Sequence, residues 1–395
     1  MEFNDTQAEA AFRAEVREFI SANLPSNYGT DSFTETVQRD SPELAEVVAR
    51  WRQALAARGW VAPHWPKEYG GAGLTPGEHF LLNEELALAE TPDMPPGSVN
   101  MIGSTLILYG TDEQKREHLP KIASAQVFWA QGYSEPGAGS DLAGLQTRAR
   151  RDGDEFVLNG QKIWTSSAHF SQWMYMLART DPEAPKHRGI SMFILPMDTP
   201  GLIIRPLWTM SRDHRFNEVF FEDARVPAKN LIGEENRGWY VGATLLDFER
   251  SNIGTTVGAA NGQRRNVEMA KHVRSTPDRV LTDGARGQVV ERSIEVQVAL
   301  LLAYRVISMQ KRGQIPNHEA SANKLFGSEV SQRIAGTGVK IAGLYGQLLR
   351  GSIAAPEDGR PAESYLRSVG STIGGGTSEI QRNVIATRGL GLPRS

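Results

Sequence analysis

The chain has 395 residues, 40% hydrophobic and 23% charged, with a formal net charge of −3, which is ordinary for a globular protein of two or three structural units. That charge offers no basic surface for nucleic acid or an acidic membrane. The absence of cysteine excludes disulfides, thiolate metal sites and cysteine nucleophiles, and the eight histidines form no H-x-H or H-x-x-x-H pair that would hold a metal. The first third reads as helical: Phe12, Val16, Phe19 and Ile20 share one face. Ser41-Pro42-Glu43 has the cap, proline and early acid of a helix start, with Leu44, Val47, Val48, Trp51 and Leu55 on its buried side and Gly59 as its stop. Further helices are predicted over 80–88 and 98–109, and Thr111-Asp112-Glu113-Gln114 has the form of a capping box for the next.

The texture changes near residue 126. Short apolar runs at 127–129, 156–158, 173–177, 190–195, 203–204 and 219–221 predict strands, and Asp152-Gly153 and Asn159-Gly160 both predict hairpin turns. From about Gly238 the helical pattern returns, with long helices predicted over 288–312 and 320–349. Runs of helices, then strands, then helices predict separate α and β modules, an α+β protein, and argue against a doubly wound nucleotide-binding sheet. The mixed, acidic N-terminus is no signal peptide. The longest uncharged run, 94–111, is broken by Pro95, Pro96 and Gly97, so a cytoplasmic protein without a membrane span is expected.

No Rossmann G-x-G-x-x-G, P-loop or nucleophile elbow is present. The chemistry-bearing segments are three. Tyr133-Ser134-Glu135-Pro136-Gly137-Ala138-Gly139-Ser140-Asp141 leaves a strand as a loop of small and hydroxylated residues; the plain alternative is a surface loop. Lys162-Ile163-Trp164-Thr165-Ser166-Ser167 ends a strand with an aromatic plane followed by hydroxyls, suited to a planar heteroaromatic ring if Trp164 is not simply core. Ser371-Thr372-Ile373-Gly374-Gly375-Gly376-Thr377-Ser378-Glu379-Ile380-Gln381-Arg382 puts glycines just before a capped helix, where backbone N–H groups suit an anion or a polarised oxygen.

These three segments, in this order and at these separations, resemble the acyl-CoA dehydrogenase family. His64-Trp65-Pro66-Lys67-Glu68-Tyr69-Gly70-Gly71 and Glu222-Asp223-Ala224-Arg225-Val226-Pro227 extend the resemblance over essentially the whole chain. It implies an N-terminal all-α domain (1–125), a middle β-domain (126–234) and a C-terminal four-helix bundle (235–395). It also implies FAD-dependent oxidation of an acyl-CoA thioester to the trans-2,3-enoyl-CoA, with an electron-transferring flavoprotein as the usual acceptor. By similarity, Tyr133, Ser134, Gly139, Ser140, Trp164, Thr165, Ser166, Thr377 and Glu379 contact FAD. Ser140, Asp247, Arg250 and Gly375 contact the acyl-CoA.

Many members carry a glutamate base just before the Gly-Thr of the last motif, where this chain has Gly375. A replacement is available in Leu245-Leu246-Asp247-Phe248-Glu249-Arg250. On a helix, Glu249 has Leu245, Leu246 and Ile253 at i−4, i−3 and i+4, an apolar stripe on which desolvation raises a carboxylate pKa toward working pH. Some members, including those acting on branched or long chains, carry their glutamate on this helix. The alternative is a packed glutamate salt-bridged to an arginine. The missing side chain at Gly375 also opens room for a bulky or branched acyl group, a ring system or a steroid side chain.

Two departures concern what a subunit gives its neighbour. Lys340-Ile341-Ala342-Gly343-Leu344-Tyr345-Gly346 stands where Q-x-x-G-G-x-G is usual, and no R-x-x-F-G is recognisable around Asp283-Gly284-Ala285-Arg286-Gly287-Gln288. A mixed α2β2-type assembly with a related chain would account for both, and a homotetramer with altered contacts stands beside it. The competing readings are a non-catalytic partner subunit and a flavin oxidase or monooxygenase on the same fold.

Overall fold

The computed structural model describes residues 5–28, 41–92, 97–249, 254–276 and 280–393, with the backbone alone for 244–249 and 254–255. They fall into two compact units. One comprises Met1–Val47, Leu74–Pro92 and Arg250–Ser395, and the other Val48–Gly73 and Asp93–Glu249.

In the first unit α1 (Gln7–Asn23) opens on a capping box between Thr6 and Glu9, and α3 (Pro76–Leu88) on another between Thr75 and Glu78. The unit also holds α7 (Gly254–Ser275), α8 (Asp283–Lys311), α9 (His318–Ala342), α10 (Arg360–Ser371) and α11 (Ser378–Val384). Helix α9 is the centre, packing against α7, α8, α10 and α11. The helix predicted over 320–349 ends early: the backbone of Gly343 turns to φ +59° and the chain continues as a 3-10 turn, Gly343–Gln347. The one predicted over 288–312 starts earlier, because Thr282 caps it by accepting from the N–H of Ala285.

A partly buried ion cluster ties α1 to α3. Arg13 Nη1 donates to Glu84 Oε2 (2.7 Å) and Glu85 Oε1 (2.6 Å), Arg17 forks onto Glu85 at 2.7 and 2.9 Å, and Tyr304 of α8 donates to Glu84 at 3.0 Å. Burial alone would raise the Glu85 carboxyl, but the two guanidinium groups outweigh it and hold the pKa below its ordinary value.

The second unit contains most of α2 (Pro42–Ala57), α4 (Ser104–Tyr109), α5 (Asp112–Ala123), eight strands and α6 (Gly238–Glu249). The predicted helix 98–109 is α4 preceded by a wide π turn, Gly97–Gly103, where the Ser98 hydroxyl accepts from the N–H of Trp129 at 3.0 Å. Helix α5 has the expected capping box. Its Gln114 also donates to the carbonyls of Lys229 and Leu231, at 2.8 and 2.9 Å.

The strands are β1 (Trp129–Gly132), β2 (Arg148–Asp152), β3 (Glu155–Lys162), β4 (Trp173–Arg179), β5 (Ile190–Pro196), β6 (Leu202–Leu207), β7 (Phe216–Pro227) and β8 (Leu231–Ile232). They pair in the order β6-β7-β3-β2-β4-β5-β8, with β1 parallel to β4. The exposed β6, bearing Arg205 and Pro206, ends the order on one side and the two-residue β8 on the other. One face carries the core of Phe156, Leu158, Met174, Met176, Phe193, Leu195, Val219 and Phe221. Strands β4 and β5 are buried on both faces, since α6 packs on β5 and Tyr175 reaches Met101 of the π turn. Their unbroken apolar runs follow from that double cover.

Two strand-level expectations change. The strand predicted at 127–129 begins only at Trp129, while Phe128 lies under the Arg52 guanidinium, 4.7 Å from its ring centroid. Asp152-Gly153 does turn the β2–β3 hairpin, but Asn159-Gly160 lies inside β3 at a bulge. Gly160 has φ +148° there, and a Cβ on it would stand 2.7 Å from the Thr147 Cα, so the glycine serves close strand approach and not a turn.

Replacing Glu85 by Gln is expected to cost about 3 kcal/mol, because two guanidinium groups lose a buried partner. The Glu85 pKa is depressed in the folded state, so its stabilisation is present above the unfolded carboxylate pKa and lost as pH falls through the folded one. Thermal midpoints from neutral to acid pH should therefore fall less steeply in Glu85→Gln than in the wild type.

Candidate functional site

The loop leaving β1 is shaped by charge buried beneath it. Glu135 and Ala138 exchange backbone hydrogen bonds of 3.0 Å each, closing a tight turn around Pro136 and Gly137. The Glu135 carboxylate is buried and accepts from the N–H groups of Gln146 (2.5 Å) and Thr147 (2.9 Å) and from Lys162 Nζ (2.7 Å). Lys162 is wholly enclosed and also donates to the Tyr133 carbonyl at 3.1 Å. Burial pulls its ammonium down against the attraction of Glu135, which favours the charged form. Burial would raise Glu135, but Lys162 and the donors around the carboxylate keep it below the ordinary range.

Beyond Lys162 the chain leaves the regular ladder. Lys162 pairs with Val219, and the next pairing is Thr165 with Asn217, through reciprocal N–H···O bonds of 3.0 Å. Two residues, Ile163 and Trp164, thus stand opposite Glu218 alone, which is a β-bulge. Trp164 sits there at φ +59° with 56% of its surface exposed, and Ser167 follows at φ +62°. The N–H of Ile163 donates to the Ser134 carbonyl (2.9 Å), joining this turn to the loop after β1. The unit therefore brings Tyr133, Ser134, Trp164, Thr165 and Ser166 together on adjoining strand ends. Tyr133 and Thr165 are buried, and Gly139, Ser140 and Ser166 are exposed. A cavity of about 390 Å³ is lined by Pro136, Gly137, Gly144, Gln146, Thr147 and Gly160.

Gly375, Thr377 and Glu379 belong to the other unit. Gly375 and Gly376 have φ of +68° and +93°, and Thr377 caps α11 by accepting from the N–H of Ile380 at 3.2 Å. The carbonyl of Gly375 accepts from Gln381 (3.0 Å) and that of Gly376 from Lys324 (2.6 Å), so both oxygens are turned inward. Glu379 is exposed; hydrogen bonds from its own backbone N–H and from Thr377 hold its pKa below the ordinary value. A cavity of about 310 Å³ beside it is lined by Glu329, Arg333, Thr372, Thr377, Glu379 and Arg382. The side chains of Asp247 and Glu249, and all of Arg250, lie outside the described residues; the backbone of α6 runs to Glu249.

Three family models match the chain in succession: acyl-CoA dehydrogenase N-terminal domain over residues 6–126, middle domain over 130–224 and C-terminal domain over 236–390. The chain belongs to the acyl-CoA dehydrogenase family. It is thus an FAD-dependent oxidoreductase, with the helical, β-sheet and helical parts of that fold. Acyl-CoA dehydrogenase IpdE1 of Mycobacterium tuberculosis is 36% identical over 391 residues, 97% of each chain. The steroid acyl-CoA dehydrogenase Tcur3481-Tcur3483 superposes with a TM-score of 0.86 at 34% identity, covering 100% of both chains. A chain of the ChsE4-ChsE5 complex from Mycobacterium tuberculosis gives 0.85 at 32%, again covering 100% of both.

Glu135 and Lys162 lie within the motifs but carry no task legible in the sequence, and Asn217 lies in none of them. A lysine at the end of a predicted strand, with a glutamate in the preceding motif, is the available signal for the first two.

Removing either partner leaves a buried charge, so Lys162→Met and Glu135→Gln are each expected to cost about 3–5 kcal/mol. In a double-mutant cycle read by denaturant unfolding, the double variant should lose clearly less than the sum; strict additivity would mean that the two charges do not hold each other.

Proposed function

We propose that this acyl-CoA dehydrogenase oxidises a bulky or branched acyl-CoA thioester, such as one bearing a ring system, with Glu249 as the base that takes the α proton. The backbone at Gly375 carries this reading. The position at which many members keep their base has φ +68° here, a region costing an ordinary L residue roughly 1–2 kcal/mol, and it is held by glycine. A base must come from elsewhere, and the backbone of α6 carries Glu249 four and three residues after the apolar pair Leu245-Leu246. The relatives support the acyl group: one similar structure is that of a steroid dehydrogenase.

The described residues suit FAD. A Cβ added at Gly137 or Gly139 would meet nothing within 4 Å, so the loop's backbone borders open space, and the exposed Trp164 indole offers a flat apolar face. Tyr133, Ser134, Gly139 and Ser140 would hold the cofactor, Trp164, Thr165 and Ser166 would border its ring, and Thr377 and Glu379 would add further contacts. When bound, FAD supplies the acceptor for the β hydrogen, which leaves the substrate as hydride. The chain supplies the rest. The Glu249 carboxylate receives the α proton, and the N–H of Gly375 donates to the thioester oxygen, where negative charge gathers as that proton leaves. Ser140, Asp247 and Arg250 contact the CoA ester.

An exposed apolar row on α8, Val290, Ile294, Val298 and Leu301, recurs at helical spacing and supports a subunit interface. The ChsE4-ChsE5 relative is a complex of two named chains, which favours a mixed assembly for this protein over a homotetramer. No described helix is long and apolar enough to cross a membrane. A cytoplasmic enzyme passing electrons to an electron-transferring flavoprotein fits this reading.

Anaerobic bleaching of the bound flavin by straight, branched and cyclic CoA thioesters tests it. A bulky subset should bleach the wild type, and Glu249→Gln should slow bleaching about 10²–10⁴-fold with flavin retained. Equal rates with straight and bulky esters would sink the substrate assignment, and an unimpaired Glu249→Gln would sink the base.

A further inference from the structure

Trp164 occupies a conformation that a large side chain avoids. A tryptophan at φ +59° in a bulge, followed by Ser167 at φ +62°, persists only where the surroundings over-determine the backbone. Bulges of this kind re-aim a side chain, and here the indole is aimed outward.

What holds the turn is Asn217. It is fully buried on β7 and meets Thr165 three times: through the two reciprocal backbone bonds and through Nδ2, which donates to the Thr165 carbonyl at 3.0 Å. That carbonyl can only accept, so it fixes which end of the amide faces it. The remaining valences then follow. Nδ2 also meets His169 Nδ1 at 3.1 Å, and Oδ1 meets His214 Nε2 at 2.8 Å. His169 must therefore accept through an unprotonated Nδ1, and His214 must donate through Nε2–H. The two imidazoles stack 3.9 Å apart and 21° from parallel. Partial burial, then the proximity of His214, holds the His169 pKa below its ordinary value, which favours the neutral acceptor this arrangement needs. Ser167 N–H donates to the Arg215 carbonyl at 2.9 Å, closing the far side of the turn, and Phe216 meets the Trp164 ring edge-on at 5.8 Å.

We propose that Asn217, braced by His169 and His214, is a positioning residue that sets the angle at which Trp164 meets the flavin ring. This rests on the reading above that Trp164 borders that ring. Asn217 touches no reacting atom; it acts through the Thr165 backbone. Loss of Asn217 leaves in place the Lys162–Glu135 pair that holds the loop of residues 133–140, so it should disturb the ring's environment while the cofactor still binds.

The test compares the full-length, FAD-loaded wild type with Asn217→Ala, His214→Ala and Trp164→Phe. It reads the visible circular dichroism of the bound flavin, the FAD dissociation constant of the apoprotein and the melting temperature. Trp164→Phe should alter the flavin dichroism. Asn217→Ala should alter it too and weaken FAD about tenfold, about 1.4 kcal/mol. His214→Ala should give a smaller change in the same direction, and it decides the matter by the same two readouts if Asn217→Ala does not fold. A lowered melting temperature with wild-type dichroism and FAD affinity would make Asn217 merely structural and overturn the proposal. Unchanged dichroism in Trp164→Phe would overturn the flavin assignment of Trp164 instead, and the proposal with it.

Discussion

An ammonium group with no access to water needs a countercharge and several acceptors, and much of the second unit's chemistry-bearing surface is arranged around meeting that need. Lys162 finds Glu135 at 2.7 Å and the Tyr133 carbonyl at 3.1 Å. Both belong to the loop after β1, so the strand that ends in the Trp164 turn is bonded to the loop that contains Ser134, Gly139 and Ser140. Such a pair contributes little net stability, because desolvating two ions offsets most of their attraction. It does make alternative loop positions expensive, since each would strand a charge. The Glu135 carboxylate takes two backbone N–H donors besides, so the loop is held from its start to Thr147.

From that fixed strand end the backbone runs into the bulge, and the constraint changes from charge to hydrogen-bond valence. Asn217 has no charge to strand. Its amide has a fixed set of donors and acceptors, and Thr165, His169 and His214 use them. The first device places a loop, and the second orients a ring plane. The C-terminal glycines show a third, in which backbone conformation disfavours a side chain: at Gly375 and Gly376 φ is positive, and the carbonyls face Gln381 and Lys324.

What was legible in the sequence was what a few neighbouring residues encode. Thr111 with Gln114 announced a capped helix, Asp152-Gly153 a hairpin, and the order of helical and strand texture the arrangement of the fold. The motifs also led to the family, because each keeps its residue types within a short window. Asn159-Gly160 misled because the dipeptide calls for a positive φ without saying whether the chain turns or bulges; Thr147, just before the neighbouring β2, settles that. Lys162 stands inside a recognisable motif, but its burial depends on segments far away in sequence. Asn217 was invisible for the same reason: His169 and Thr165 lie 48 and 52 residues away. Capping and turn chemistry are local, while satisfying a buried amide is not.

The ends of the sheet have a consequence for how this chain can associate. An exposed strand normally offers a row of unused N–H and C=O groups on which a foreign chain can template itself. Here one end of the strand order is β6, where Pro206 has no N–H to give and Arg205 keeps a charge at the rim, and the other is β8, only two residues long. Both ends are poor templates for runaway β-addition. Growth by strand addition is blunted at those two ends, so neither of them invites a foreign chain to extend the sheet.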